Sequence, residues 1–200
     1  MRTGLVPRMR GMRREQIARD ADDFLRRYYP QLITTPGPLN VIDAFERVLP
    51  DHYQLETGVE DLEEGVEGEA NPDGKIIINH GTYLDALVHK DGRARFTIMH
   101  ECYHGIKHIR QIKAQLQHRG SVLLYRGSVE GVPIYENPEW QADEFASAVL
   151  MPAQSVMKVT TPYRHSFTLC TDLLTDVFQV SVQAARVRLS KLGLFNNRNN

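Results

Sequence analysis

Apolar residues recur every three or four positions over much of this chain, which is the spacing of one face of an α-helix. The pattern predicts an amphipathic helix over residues 12–28. It predicts a second helix that Asn40 caps, that runs to Leu49 and that Pro50 ends. Neither helix carries residues with obvious chemistry.

The second half of the chain is also dominated by helical patterns. The predicted helices cover about residues 94–117, 138–151, 169–178 and 181–192. In the first of these, apolar residues nearly encircle the helix, which indicates that most of it is buried. Asn137 is the expected cap of the next helix, with Pro138 at its first position and Pro152 closing it.

One segment has the composition of a buried strand. The turn sequence Asn71–Gly74 leads directly into Lys75–Asn79, which contains three consecutive isoleucines. Residues 120–133 alternate glycines with apolar residues and are expected to form a loop or hairpin. The predicted fold class is therefore α+β: a mostly helical core, a small antiparallel or mixed sheet, and short C-terminal helices.

Composition narrows the protein class. The chain has 200 residues, 42% of them hydrophobic, a net charge of −1 and no apolar run long enough to cross a bilayer. Two cysteines are too few for a disulfide framework, so the expected location is the cytoplasm, with no membrane partner. Residues 1–11 contain Leu5–Arg8, which resembles part of a protease cleavage tag, and are expected to be disordered or tag-like.

The strongest chemical signal is an HExxH motif on the predicted buried helix, formed by His100, Glu101 and His104. Histidines four residues apart lie on one face of a helix, so both imidazoles can reach one metal ion. The glutamate between them is placed to act as a general base. This pattern is typical of zinc peptidases, with one Zn²⁺ per chain.

A catalytic zinc ion needs a third protein ligand. His108, one turn further along the same helix, is expected to lie too far away. A better source is the helix that follows, where Glu139 and Asp143 stand four residues apart on one face. Glu139 is the expected ligand, with Glu144 and Glu136 as alternatives, and Asp143 is expected to accept a hydrogen bond from a ligand histidine.

Peptide hydrolysis would also need a donor for the developing oxyanion. Glu101 would take a proton from water and pass it to the leaving amine. Tyr163 and His165 are candidate oxyanion donors by residue type, as are Tyr125 and His118, and spacing does not choose among them.

Three ordered blocks of sequence resemble the ImmA/IrrE family of zinc metallopeptidases. They are Arg95–Gly105 with the HExxH motif, Glu139-x-x-Ala142-Asp143-x-Phe145-Ala146 running into Leu150-Met151-Pro152, and Phe178-x-Val180-Ser181 with Arg188-Leu189 and Leu192-Gly193-Leu194. The resemblance implies a zincin-like core of the gluzincin type over residues 12–160. It implies a C-terminal helical segment, 161–200, packed on that core.

The resemblance further implies a regulatory protease whose protein substrate is a helix-turn-helix transcriptional repressor, acting in stress response or mobile-element control. Two alternatives remain. The chain could be a non-proteolytic regulator that binds a partner protein or DNA and uses zinc structurally, or the toxin of a toxin–antitoxin pair. Direct nucleic-acid binding is not expected, because the arginine-rich residues 1–27 are typical of a solvated helix face.

Overall fold

The computed structural model describes residues 9–119 and 133–195, together with two short strands at Val6–Pro7 and Leu124–Tyr125. The helices are α1 (Arg14–Tyr28), α2 (Gln31–Thr34), α3 (Val41–Asp43), α4 (Leu49–Tyr53), α5 (His80–Leu84), α6 (Gly92–Tyr103), α7 (Ile109–Arg119), α8 (Pro138–Leu150), α9 (Ala153–Thr160), α10 (Phe167–Phe178) and α11 (Val182–Lys191). π-Helical segments at Ala44–Val48, Asp85–His89 and His104–His108 connect or extend these helices, and 3₁₀ turns lie at Ile134–Glu136 and Thr161–Tyr163.

A small mixed sheet lies beside the HExxH helix, which confirms the α+β class. Its strands are β2 (Glu56–Glu60), β3 (Gly68–Ala70) and β4 (Lys75–Asn79), in the order β2-β4-β3. β2 is parallel to β4 and β3 is antiparallel to it. Strand β4 has the predicted bounds. The short strands β1 (Val6–Pro7) and β5 (Leu124–Tyr125) form a separate antiparallel pair.

Gly105 allows the sheet to pack closely on the HExxH helix. A Cβ atom at this position would overlap Cδ1 of Ile76 in β4 and would come within 2.8 Å of Leu55 Cδ1. A larger residue directly after His104 would force the Ile76 and Leu55 side chains to move, so glycine favours the close packing of the central strand on the helix.

The opposite side of the HExxH helix is fixed against α1 and α8. The Tyr103 ring, fully buried, stacks on Phe145 of α8 with centroids 4.3 Å apart. The Tyr103 hydroxyl donates to Asp20 of α1 at 2.8 Å, and Lys107 pairs with the same carboxylate. The helix that carries the motif is thus held from both sides.

The C-terminal helices contact this core through buried charged groups. The Arg188 guanidinium of α11 donates to the Met151 carbonyl at 3.0 Å. The Glu144 carboxylate of α8, 2% exposed, pairs with Arg14 of α1 and with Lys191 of α11. Glu144 therefore links α1, α8 and α11 by ion pairs. The division of the chain at residue 160 stays a prediction.

Two features differ from the sequence-based expectation. The second helix continues past Pro50 to Tyr53, because the preceding π segment Ala44–Val48 widens the helix where a proline ring would otherwise meet a backbone carbonyl. Residues 9–11 are folded, although no structural role was expected for residues 1–11: Met9 is 2% exposed and its backbone N–H donates to the Glu136 carbonyl.

Most of the expected loop at residues 120–133 lies outside the described residues. Among the helices that the structure describes, none is both long and apolar enough to span a bilayer.

Candidate metal centre

His100 and Glu101 lie in the last turns of α6, and His104 begins the π segment that continues it. The helix predicted for this motif is present. The Nε2 atoms of His100 and His104 face each other at 3.0 Å. Both side chains are mostly buried, with 15% and 14% of their surface exposed. Two ring nitrogens therefore point into one small space.

Glu139 adds a third side chain to a group that could hold a metal ion. It lies in the first turn of α8, where the Asn137 side chain accepts from its backbone N–H as expected for a cap. Its carboxylate oxygens lie 3.2 Å from His100 Nε2 and 3.5 Å from His104 Nε2. Neighbouring ligands of a tetrahedral zinc ion with bonds of about 2.0–2.1 Å are about 3.3–3.4 Å apart. The observed spacings fit such an ion.

Asp143 orients the first histidine, one helical turn beyond Glu139. Its Oδ1 lies 2.9 Å from His100 Nδ1. Because an ionised carboxylate only accepts hydrogen bonds, His100 Nδ1 carries the hydrogen. This contact fixes the ring with Nε2 toward His104 and Glu139, and the role of Asp143 in supporting a metal ligand stays a prediction.

The second histidine is oriented by a buried chain that starts at Gln141. The Gln141 amide donates to the carbonyls of Arg10 and Tyr135, so its oxygen must face His108 Nε2, 3.0 Å away. His108 Nε2 then carries the hydrogen, and His108 Nδ1 accepts from His104 Nδ1 at 3.0 Å. His104 is thus held in the tautomer whose Nε2 has a free lone pair.

In this chain of hydrogen bonds, His104 and His108 each carry a hydrogen on one ring nitrogen only, so both rings must be neutral. Burial, followed by the charge of His100, lowers the pKa of His104 to about 3, and burial, followed by His104, lowers that of His108 to about 3. Burial also acts to lower the pKa of His100, but its hydrogen bonds to Asp143 and Glu139 raise it to about 10. A metal ion at this site would therefore displace a proton between His100 and Glu139.

Glu101 faces an open cleft of about 700 Å³, here called the catalytic cleft, whose described lining includes His100, Asp143 and the loop residues 63–67. Burial raises the pKa of Glu101 to about 7, a value suited to a general base. Strand β3 passes directly over this side chain. A Cβ at Gly68 would lie 2.8 Å from Glu101 Cγ, so glycine lets the strand edge approach the glutamate.

A family profile of the M78 peptidases, described as the IrrE N-terminal-like domain, matches residues 83–190, just over half of the chain. The chain belongs to this family. The resemblance to ImmA/IrrE proteins is thereby confirmed, and the matched region contains His100, His104 and Glu139 of the candidate metal site. No curated protein matches the chain significantly.

A solved structure of a Mycobacterium tuberculosis transcriptional regulator is similar to this M78 family member. The TM-score is 0.57 and the sequence identity 17%, and the match covers 87% of this chain and 55% of that one. The chain thus spans about half the length of that protein. At this identity, the likeness establishes a shared fold.

Three other residues that the sequence suggested for the site, Glu144, Tyr163 and His165, lie outside it. The Glu144 carboxylate pairs with Arg14 and Lys191 and does not face the histidines. Tyr163 and His165 lie in and just after the 3₁₀ turn Thr161–Tyr163, and neither is among the described residues that line the catalytic cleft. The side chains of Tyr125 and His118 lie outside the described residues.

Sequence reasoning missed the supporting role of His108 and Gln141. A signal was present, because His100, His104 and His108 follow each other at intervals of four. That spacing predicts contact between successive rings. It does not identify Gln141 as the partner that determines which ring nitrogen carries the hydrogen.

Proposed function

We propose that this chain is a zinc-dependent peptidase that cuts a specific protein, a helix-turn-helix transcriptional repressor. One observation carries the proposal: two Nε2 atoms and one carboxylate, from two helices, lie 3.0–3.5 Å apart beside the half-buried Glu101. That is the donor set of a catalytic zinc site with three protein ligands. His100, His104 and Glu139 would hold the ion.

When bound, zinc would polarise the scissile carbonyl and acidify a water molecule. Glu101 would take a proton from the attacking water and deliver it to the leaving amine. Asp143 and His108 hold the two ligand rings in the tautomers that leave Nε2 free. The high exposure of Glu139, with 60% of its side chain accessible, leaves this side of the site open to a large substrate.

The substrate class rests on likeness and on the shape of the cleft. ImmA/IrrE proteins resemble this chain in their motifs, and the similar solved structure is described as a transcriptional regulator. The catalytic cleft is open and runs beneath strand β3, whose outer edge has no strand partner among the described residues. An extended polypeptide segment suits such an edge, because it can pair with exposed backbone groups.

The test begins with the metal. Purified protein should bind close to one zinc ion per chain, and the affinity should fall steeply in Glu139→Gln. Glu101→Gln should keep the ion and lose cleavage, since only the proton acceptor is removed. Glu56→Gln is the matched control, because Glu56 lies exposed on β2 outside the catalytic cleft and has the same charge to lose.

The substrate to try first is any small helix-turn-helix protein encoded beside this chain, incubated with it and examined by intact-mass spectrometry. A single cut that Glu101→Gln abolishes and Glu56→Gln retains would support the proposal. Zinc binding without cleavage of that protein would argue against the substrate. Full activity in Glu101→Gln would refute the assignment of the base.

A further inference from the structure

A second cleft of about 500 Å³ adjoins the catalytic cleft. The two share Arg93, Phe96, Thr97 and Asp143 in their lining, so a ligand can extend from one into the other. The second cleft runs between α6, α8 and α11 and contains Ser147. We call it the Ser147 cleft.

Ser147 has an unusual environment. The residue is 4% exposed, and its hydroxyl is the one buried side-chain polar atom without a hydrogen-bond partner among the described residues. An unpaired buried hydroxyl costs about 1–3 kcal/mol. Ser147 lines the cleft although its hydroxyl is covered, so a change of its side-chain rotamer would let the hydroxyl bond a polar group of a bound ligand.

The position of Ser147 connects it to the metal site. Glu139, Asp143 and Ser147 are spaced by four residues along α8 and share one face of the helix. At 1.5 Å per residue, Ser147 lies about 12 Å along the helix from Glu139. An extended peptide advances about 3.3 Å per residue, so this cleft would meet a side chain about three to four residues from the scissile bond.

The lining defines the chemistry of the occupant. Phe96, Ala184 and Val187 contribute apolar walls. The charged groups at its edge have partners within the protein: Arg93 pairs with Glu67, and Lys191 pairs with the buried Glu144, which Arg14 also contacts. Asp143, which also lines the cleft, is hydrogen-bonded to His100. The cleft thus combines apolar walls with one unpaired hydroxyl, and its charged groups each have a partner.

We propose that the Ser147 cleft is a specificity subsite that takes a neutral substrate side chain with an apolar stem and a hydrogen-bonding tip, such as glutamine. The inference rests on the proposed peptidase function. The stem packs against Val187 and Phe96, and the tip bonds the Ser147 hydroxyl. This subsite selects which segment of a protein enters the catalytic cleft.

The first experiment compares cleavage profiles on a synthetic peptide library for the zinc-loaded full chain. Ser147→Ala should reduce the preference for glutamine over the apolar norleucine by about tenfold at one position, because one hydrogen bond is lost. Val187→Phe should shift that position toward alanine and glycine by filling the cleft. Val182→Phe is the matched control: Val182 is equally exposed on the same helix and lies outside the cleft, so its profile should equal the wild type.

The second experiment does not depend on cleavage. N-acetyl-glutamine methylamide is titrated into the full chain carrying labelled alanine and valine methyl groups. The Ala184 and Val187 signals should shift and the Val182 signal should not. In Ser147→Ala the shifts should require about tenfold more of the probe. Circular dichroism checks that each variant is folded.

These results separate the two proposals. Peptide cleavage with an unchanged profile in Ser147→Ala and Val187→Phe overturns the subsite and leaves the peptidase standing. If no peptide is cut but the probe shifts Val187 in the wild type and does so in Ser147→Ala only at about tenfold higher concentration, the subsite stands and the peptidase function fails. The absence of both cleavage and shifts overturns both.

Discussion

Replacing His108 tests the proposal that the chain prepares His104 to bind metal. In the wild type, His108 Nδ1 accepts the hydrogen of His104 Nδ1, which leaves Nε2 free. His108→Leu fills similar space without an acceptor. His108→Asn can place an amide oxygen close to the position of Nδ1 and so restore the acceptor. The two variants differ mainly in whether the metal-binding tautomer of His104 is stabilised.

The expected loss of zinc affinity follows from how the His104 hydrogen is bonded in the metal-free and in the metal-bound state. Without metal, His104 in the leucine variant can move its hydrogen to Nε2 and bond the nearby Glu139 carboxylate, 3.5 Å away. With metal bound, the hydrogen must stay on Nδ1, where it is buried and unpaired. That penalty is about 1–3 kcal/mol, and since 1.4 kcal/mol corresponds to tenfold, zinc should bind about 5- to 150-fold more weakly.

The assay is competition for zinc against a chromophoric chelator, with the unfolding of the metal-free variants measured separately in urea. The separate measurement is needed because His108 is 1% exposed and also bonds Gln141, so part of any change concerns folding. His108→Asn should recover most of the affinity. A folded leucine variant with wild-type affinity would refute the orienting role. Equal weakness of both variants would refute the acceptor argument.

Two further substitutions test other parts of the fold. Glu144→Gln should lower the free energy of unfolding by about 2 kcal/mol, because its cationic partners on two helices lose their buried counter-charge; Glu56→Gln should change it by less than about 0.5 kcal/mol in the same urea titration. Gly68→Ala should reduce cleavage about tenfold or more at unchanged zinc content, because its Cβ would displace Glu101. In Gly58→Ala, on the same sheet, the new Cβ meets its nearest neighbour at 3.4 Å, and activity close to wild type is expected there.

Local sequence pattern was sufficient to predict the helices and the strand that carry the site. The spacing of His100 and His104 predicted a helix, and both lie on one continuous helical segment. Asn137 before Pro138 predicted the start of α8, and its side chain caps that helix. Three isoleucines predicted β4 with its observed bounds. These features depend on neighbours within a few residues, which is the range over which sequence pattern is informative.

The remaining features depend on contacts between distant parts of the chain. The orientation of Gln141 is set by carbonyls of Arg10 and Tyr135, and no periodicity links these three positions. Residues 9–11 therefore fold because of contacts with residues far along the sequence, which a short sequence window does not include. The continuation past Pro50 needed a π segment, which pattern rules for α-helices do not anticipate.

The two histidines of the candidate metal site are held in different ways. His100 is bound by Asp143, a carboxylate with 56% of its side chain exposed, whereas His104 is bound by a neutral, buried chain through His108 and Gln141. Salt screens an exposed charge, and substrate can reach it. A buried neutral chain of hydrogen bonds is neither screened by salt nor reached by substrate. Asp143 also lines both clefts. Substrate contacts can therefore act on His100 through Asp143, while His104 remains fixed from the protein interior, so we expect any coupling between substrate and metal to pass through Asp143.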